Sequence, residues 1–225
     1  RQGAGWAKTA VAVFMSTALL IYIYVTPHLR GYGFFKGRFR LNVQLCREIV
    51  LLGLPVAGIV ILEAGLFTAV SMFSGLLGPV ALATYQVIIA WVAIAFKAAQ
   101  GLAEAGMVRV AFSAGRSNLA QAQRSGLLTM LIGISGLVCL AIVPLSFPEA
   151  LVRLFLKPED PGFQPVLELA SKVLVLAAFF QIFDGVQVMA SFALRGLKDT
   201  LFPLWLAAFG YWVMGVGGGW WLAFE

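Results

Sequence analysis

The sequence predicts an all-α fold, a polytopic bundle of transmembrane helices with six spans. Three observations predict it. Hydrophobic residues make up 61% of the 225-residue chain and charged residues only 12%, against about 25% charged in a soluble domain. Mean hydropathy is +0.93, and the apolar residues gather in six stretches, each near the ~20 residues that cross a bilayer core about 30 Å thick. The sixteen Lys and Arg residues concentrate in alternate connections between those stretches.

The spans are expected at residues 6–25, 48–74, 80–103, 125–147, 164–194 and 200–224. The second and fifth are longer than a bilayer needs, which calls for tilt or bending. Pro55 is placed in the first turns of the second span, where a missing N–H costs little. Gly78-Pro79 is a tight turn joining the second and third. The glycines of GVGGGWW (215–221) lie in an apolar helical run and are expected to allow close helix packing. Neither RQGAGWAKTAV at the start nor WWLAFE at the end resembles a natural terminus, so a piece of a longer protein is expected.

Charge sets the orientation. The first loop carries Arg30, Lys36, Arg38, Arg40 and Arg47, the segment after the third span Arg109, Arg116 and Arg124, and the fifth-to-sixth connection Arg195 and Lys198. The other side has Arg1, Lys8, Arg153 and Lys157, with Lys97 and Lys172 within or beside spans. Ten against four puts the first loop in the cytoplasm. The connection 148–165, with Glu149, Glu159 and Asp160, then faces outward. Asp199 suits the start of the last helix.

The net charge of +6 needs no nucleic acid when basic loops explain it. His28 is the only histidine, and Cys46 and Cys139 have no metal-type spacing, which leaves no Ser-His-Asp triad, multi-histidine metal site or disulfide framework. No glycine-rich phosphate loop follows a strand. The chain is not expected to be an enzyme or to need a cofactor.

Function is sought in the polar groups that the spans bury. ILEAGLFTAV (61–70) holds Glu63 among uncharged residues, and FFQIFDGVQV holds Asp184 near the middle of the fifth span. At 100° per residue Gln181, Asp184, Gln187 and Ser191 share a face, which should meet protein or a water-filled cavity rather than lipid. Glu63 has only apolar helical neighbours, so its partner must come from another helix, and Asp184 is the natural candidate. Two adjacent carboxylates share a proton or bind a cation. That is the chemistry of an ion-coupled transporter. The plain alternative is a pair of protonated packing residues, set against an insertion penalty of ~2.5–3.5 kcal/mol for a central charge. A second stripe in the third span, Gln86, Lys97, Gln100 and Glu104, is expected to line a cavity, with Lys97 either pairing with Glu104 or snorkelling to the interface. Tyr85 and Trp91 fit packing better than substrate stacking, and the six methionines fit adaptable packing.

GLPVAGIVILEAGLF (53–67), GPVALATYQ (78–86), GLAEAGMVRVAFSAGRSNLAQAQRSG (101–126), AAFFQIFDGVQVMASFALRGLKDT (177–200) and YWVMG (211–215) follow one another in order and spacing. Together they resemble the MATE family of multidrug and toxic compound extrusion transporters, in its NorM-like branch. FQIFDGVQV followed by ALRGLKDT is the most specific part. The resemblance implies twelve helices in two lobes that export cationic, amphipathic drugs in exchange for Na⁺ or H⁺, from the bacterial inner membrane. This chain would match the sixth through eleventh helices. Residues 1–25 would end the first lobe, 26–47 would be the basic cytoplasmic linker, and 48–225 an incomplete second lobe of five spans. The remaining partners would be the bilayer and the first lobe, in a transporter monomeric when complete. The resemblance also implies that Glu63 and Asp184 form the Na⁺ or proton site. Four positions depart from the family pattern. Phe180 stands where many members have tyrosine, Tyr85 where histidine is common, Gly215-Val216-Gly217 where a proline is usual, and Lys97 where an apolar residue is expected. A cation at Lys97 could replace a bound ion electrostatically. Two other readings are a lipid-linked sugar flippase, which would need a wide, strongly basic cavity, and a membrane assembly or sensing protein that transports nothing.

Overall fold

A computed structural model describes residues 2–30, 42–160 and 162–225. Each expected span is found, with boundaries that differ by up to twelve residues. The helices are α1 (Gln2–Val25), α2 (Pro27–Arg30), α3 (Val43–Leu76), α4 (Pro79–Gly115), α5 (Leu119–Ser146), α6 (Pro148–Arg153), α7 (Phe163–Gly196), α8 (Leu201–Ala207) and α9 (Gly218–Phe224). A π-helical segment, Ala208–Gly217, joins α8 to α9 and makes Leu201–Phe224 one span. Six helical stretches are long and apolar enough to cross a membrane, and no strand occurs among the described residues. The fold is all-α and polytopic. The chain divides into two compact units, Arg1–Cys46 and Arg47–Glu225. The second contains five of the spans. In the first loop, Lys36, Arg38 and Arg40 lie outside the described residues.

Local chemistry explains the boundaries. Asn42 Oδ1 accepts from the backbone N–H groups of Gln44 and Leu45 at 3.0 and 3.2 Å, so α3 begins at Val43 rather than Glu48. That early start places Pro55, which is buried, in the interior of α3 and not in its first turns. Gly78 has φ +118°, a conformation open to glycine, and Pro79 follows as the first helical residue. Asn118 Oδ1 caps α5 through Gln121 N–H at 3.0 Å, and Asp199 Oδ1 accepts from Phe202 N–H at 3.2 Å at the start of the last span. α4 runs on to Gly115, well beyond the expected end at residue 103.

Helices α4, α5 and α7 form the packed centre of the second unit. Ala95, Ala99 and Ala103, spaced four apart on α4, pack with Leu137 of α5 and with Val188 and Met189 of α7. Bilayer lipid is as apolar as these side chains, so close van der Waals contact, rather than hydrophobic burial, holds such helices together. Toward the other end of the bundle, Leu151 and Val152 of α6 close the core over Val87, Val92, Val166 and Leu174. The connection after α5 is therefore partly a short helix that plugs the bundle. Helix α3 meets the last span through side chains. Trp212 sits over Gly65, Leu204 over Gly58 and Leu66 against Gly215, while Phe73 packs edge-on to Trp220 at 5.3 Å. Of the glycines in GVGGGWW, Gly215 fits the expected close packing. Gly218 and Gly219 face open space.

Candidate functional site

A cavity of about 320 Å³ lies where α3, α4, α7 and the π segment converge. From α3 it receives Ile59, Glu63 and Phe67, one helical face at intervals of four. From α4 come Phe96, Lys97 and Gln100, from α7 Gln187, Ser191 and Arg195, and from the last span Tyr211. Tyr85 of α4 donates its hydroxyl to the Phe67 carbonyl at 2.9 Å. That bond ties α3 to α4 beside the cavity and gives Tyr85 the packing role expected of it.

Hydrogen bonds order the polar lining. Tyr211 O–H donates to Gln187 Oε1 at 3.3 Å, joining the π segment to α7. On α4, Lys97 Nζ donates to Gln100 Oε1 at 2.8 Å, and Gln100 Nε2 donates to Glu104 Oε1 at 3.2 Å. Lys97 thus meets Glu104 only through Gln100. Ser191 is 5% exposed, and neither its Oγ nor the buried Nε of Arg195 has a partner among the described residues. The Arg195 guanidinium lies over the Phe192 ring at 4.4 Å. Two donors, one from each of two residues a turn apart, are therefore available to a bound acceptor.

Glu63 and Asp184 make no hydrogen bond or ion pair with any described residue. Asp184 lies within Coulombic range of Glu63, and so do Lys97 and Arg195. Tyr211 is within range of both carboxylates and of Arg195. Glu63 thus faces two cations without touching them, and Asp184 adds a second carboxylate on the side of Glu63. Glu63 lines the cavity, while half-buried Asp184 stands beside that lining.

The remaining expected lining residues are dispersed. Gln181 is 2% exposed and fully engaged. It accepts from Trp91 Nε1 at 3.2 Å and donates to the Leu137 carbonyl at 3.3 Å, so it bonds three helices together and does not line the cavity. It stands at the edge of the α7 polar stripe, where a small rotation separates core from cavity. Trp91 is accordingly a packing residue. Phe180 lies a turn beyond Asp184, exposed and outside the lining. Gln86 shares the face of Lys97 but is eleven residues away, about 16 Å along the axis, and is exposed outside the cavity. Glu104 is exposed, at the far end of the Lys97–Gln100 relay. Among the described residues no group of three or more His, Cys, Asp or Glu side chains could hold a metal ion.

Two polar lining residues escaped sequence reasoning. Arg195 continues the stripe of Gln187 and Ser191 by one more turn, a signal obscured by its place beside a basic connection. Tyr211 is the only tyrosine of the last span, but no periodicity aims it at Gln187.

Four of the spans around a cavity lined by ionisable groups define a multi-pass membrane protein with a polar site between its helices. The MatE family model matches residues 55–221, and the chain belongs to that family. It is 35% identical over 222 residues to "Probable multidrug resistance protein NorM" of Pseudomonas putida, covering 99% of this chain and 48% of that one. Its identity to the protein of the same name in Brucella suis is 34%, covering 99% and 47%. To that of Pseudomonas aeruginosa it is 36%, covering 95% and 44%. The chain spans about half the length of the curated relatives it matches. The NorM-like resemblance read from the motifs is borne out, and the bacterial relatives together with this chain's own six apolar helices make this a multi-pass protein of the bacterial inner membrane.

Proposed function

We propose that this chain forms the ion-coupling half of a secondary active exporter of cationic, amphipathic compounds, with Glu63 and Asp184 as the exchanging pair. The observation that carries the reading is the convergence of Glu63, Lys97, Gln187, Ser191, Arg195 and Tyr211 from four helices on one cavity inside the apolar bundle. In one state the ionised carboxylates attract the drug cation. In the other an inward-moving ion occupies them and releases the drug outward. One positive charge moving inward across 100 mV supplies ~2.3 kcal/mol, which offsets the cost of one drug cation moving outward and leaves the ion's concentration gradient to drive export. Residues 1–25 and 26–47 would end a first lobe and form its cytoplasmic linker, and alternating access would come from two lobes rocking about the cavity.

Either coupling ion adds one positive charge beside Lys97 and Arg195, so the charge count does not choose between them. A proton needs a single carboxylate oxygen, whereas Na⁺ needs several oxygen ligands, and Glu63 is the one carboxylate among the described lining residues, which favours H⁺. A lipid-linked sugar flippase fits less well, because Glu63 faces the two cations in a cavity of only about 320 Å³.

Dye efflux from cells expressing the complete gene tests the reading. Glu63→Gln and Asp184→Asn are each expected to abolish efflux, and wild-type efflux should persist in Na⁺-free buffer and collapse with a protonophore. Wild-type rates in both variants would remove the site. Dependence on Na⁺ with indifference to the protonophore would reassign the ion.

A further inference from the structure

A second and larger cleft lies away from the ion-coupling residues. It occupies about 790 Å³ between the C-terminal part of α4 and the N-terminal part of α5. This end of the second unit is the basic one. Arg47, Arg109, Arg116, Arg124, Arg195 and Lys198 lie toward it, against Arg153 and Lys157 at the other, and the Lys198–Glu48 ion pair at 2.5 Å ties the start of α3 to the α7–α8 connection there. The positive-inside rule assigns this end to the cytoplasm.

The lining changes character with depth. Arg109 of α4 and Arg124 of α5 stand at the mouth with Gln121 and Ser125. Both arginines are exposed and neither has an ion pair or hydrogen bond among the described residues. Arg116, close by in sequence, is different. Its guanidinium stacks on Phe112 at 4.5 Å. Further into the span the wall becomes apolar, with Leu128 47% and Ile132 60% exposed.

We propose that this cleft seats an anionic phospholipid, its phosphate held by Arg109 and Arg124 and an acyl chain lying along Leu128 and Ile132. A planar guanidinium matches phosphate oxygens in a fork, and basic pockets between helices on the cytoplasmic side suit lipid head groups. A soluble phosphate would satisfy the arginines alone. The apolar wall that continues from them into the bilayer selects a ligand carrying both parts.

Native mass spectrometry of the detergent-purified chain reads the site in folded protein only. The chain is titrated with phosphatidylglycerol, with phosphatidylcholine of the same acyl chains, and with inorganic phosphate as competitor. One phosphatidylglycerol per chain is expected to saturate ahead of phosphatidylcholine and to resist inorganic phosphate. The double variant Arg109→Gln/Arg124→Gln is expected to bind it roughly 30-fold more weakly, from the contribution of two interfacial cations. Arg109→Lys/Arg124→Lys, which keeps the charge and loses the planar fork, should bind more tightly than the glutamine pair and more weakly than wild type. The opposite-end pair Arg153→Gln/Lys157→Gln should bind as wild type. Undiminished binding in the Arg→Gln double variant, or an equal loss in the opposite-end pair, would overturn the site. Displacement by inorganic phosphate would overturn the lipid assignment in favour of a soluble anion.

Discussion

Arg195 shows how depth along one helix changes what a residue does. Counted in a loop, it is a topology determinant. On α7 it stands one turn below Ser191, with its guanidinium over Phe192 and its Nε buried inside the cavity wall. A cation there opposes any drug cation drawn to Glu63. Taking a separation of roughly 10 Å and an effective dielectric of ~20, the repulsion is about 1.7 kcal/mol. Arg195→Gln is therefore expected to lower the KM for a monovalent cationic dye roughly 15-fold in transport assays on membrane vesicles. An unchanged KM would return Arg195 to a purely topological role. Gln181 teaches the reverse lesson. Its polar side chain in a polar stripe resembles a cavity residue, yet its amide is consumed by Trp91 and the Leu137 carbonyl. An amide buried this deeply serves whichever neighbour completes its hydrogen bonds, and a one-helix wheel does not contain that neighbour.

At the scale of elements, helix separation is set by where side chains are missing. A Cβ on Gly185 would sit 2.0 Å from Leu137 Cδ1, and Leu137 is itself 2% exposed and wedged between α4 and α7. Gly185→Ala is expected to cost about 1–3 kcal/mol, the usual range for overpacking, and to lower the apparent Tm measured by fluorescence-detected gel filtration. Gly218→Ala meets nothing within 4 Å and should leave Tm unchanged. Equal effects would mean that helix propensity, not α5–α7 contact, governs both. The six spans were legible because apolar length is local. The interior position of Pro55 was not, since an uncharged cap at Asn42 moved the helix start five residues upstream of Glu48 without altering hydropathy. The π segment had no sequence signal beyond its glycines. It carries Tyr211 to Gln187, and π turns recur at functional sites.

Over the whole molecule, orientation follows from summed charge. Reporter fusions check it directly. Alkaline phosphatase joined after residue 158 is expected to be active, and after residue 117 inactive, with green fluorescent protein giving the opposite pattern. The reverse result would place the lipid cleft outside and undo its electrostatic rationale. The same orientation places Glu63 and Asp184 between a basic inner face and an outer connection bearing Glu149, Glu159 and Asp160, a field that would favour outward release of a cation in the proposed exchange.

Span number, orientation and family membership were available from the chain alone, because hydropathy, charge count and motif order are properties of consecutive residues and simply add along it. Glu63 and Asp184 stood out for the same reason, as carboxylates in apolar runs. The company they keep is a different kind of fact. Lys97, Arg195 and Tyr211 share a cavity with Glu63, and Gln181 does not, because rotation and contact among separate helices assign each polar atom to its partner. Those assignments rest on shape and hydrogen-bond geometry between segments up to 150 residues apart, as in Lys198 and Glu48, and no one-dimensional pattern encodes them.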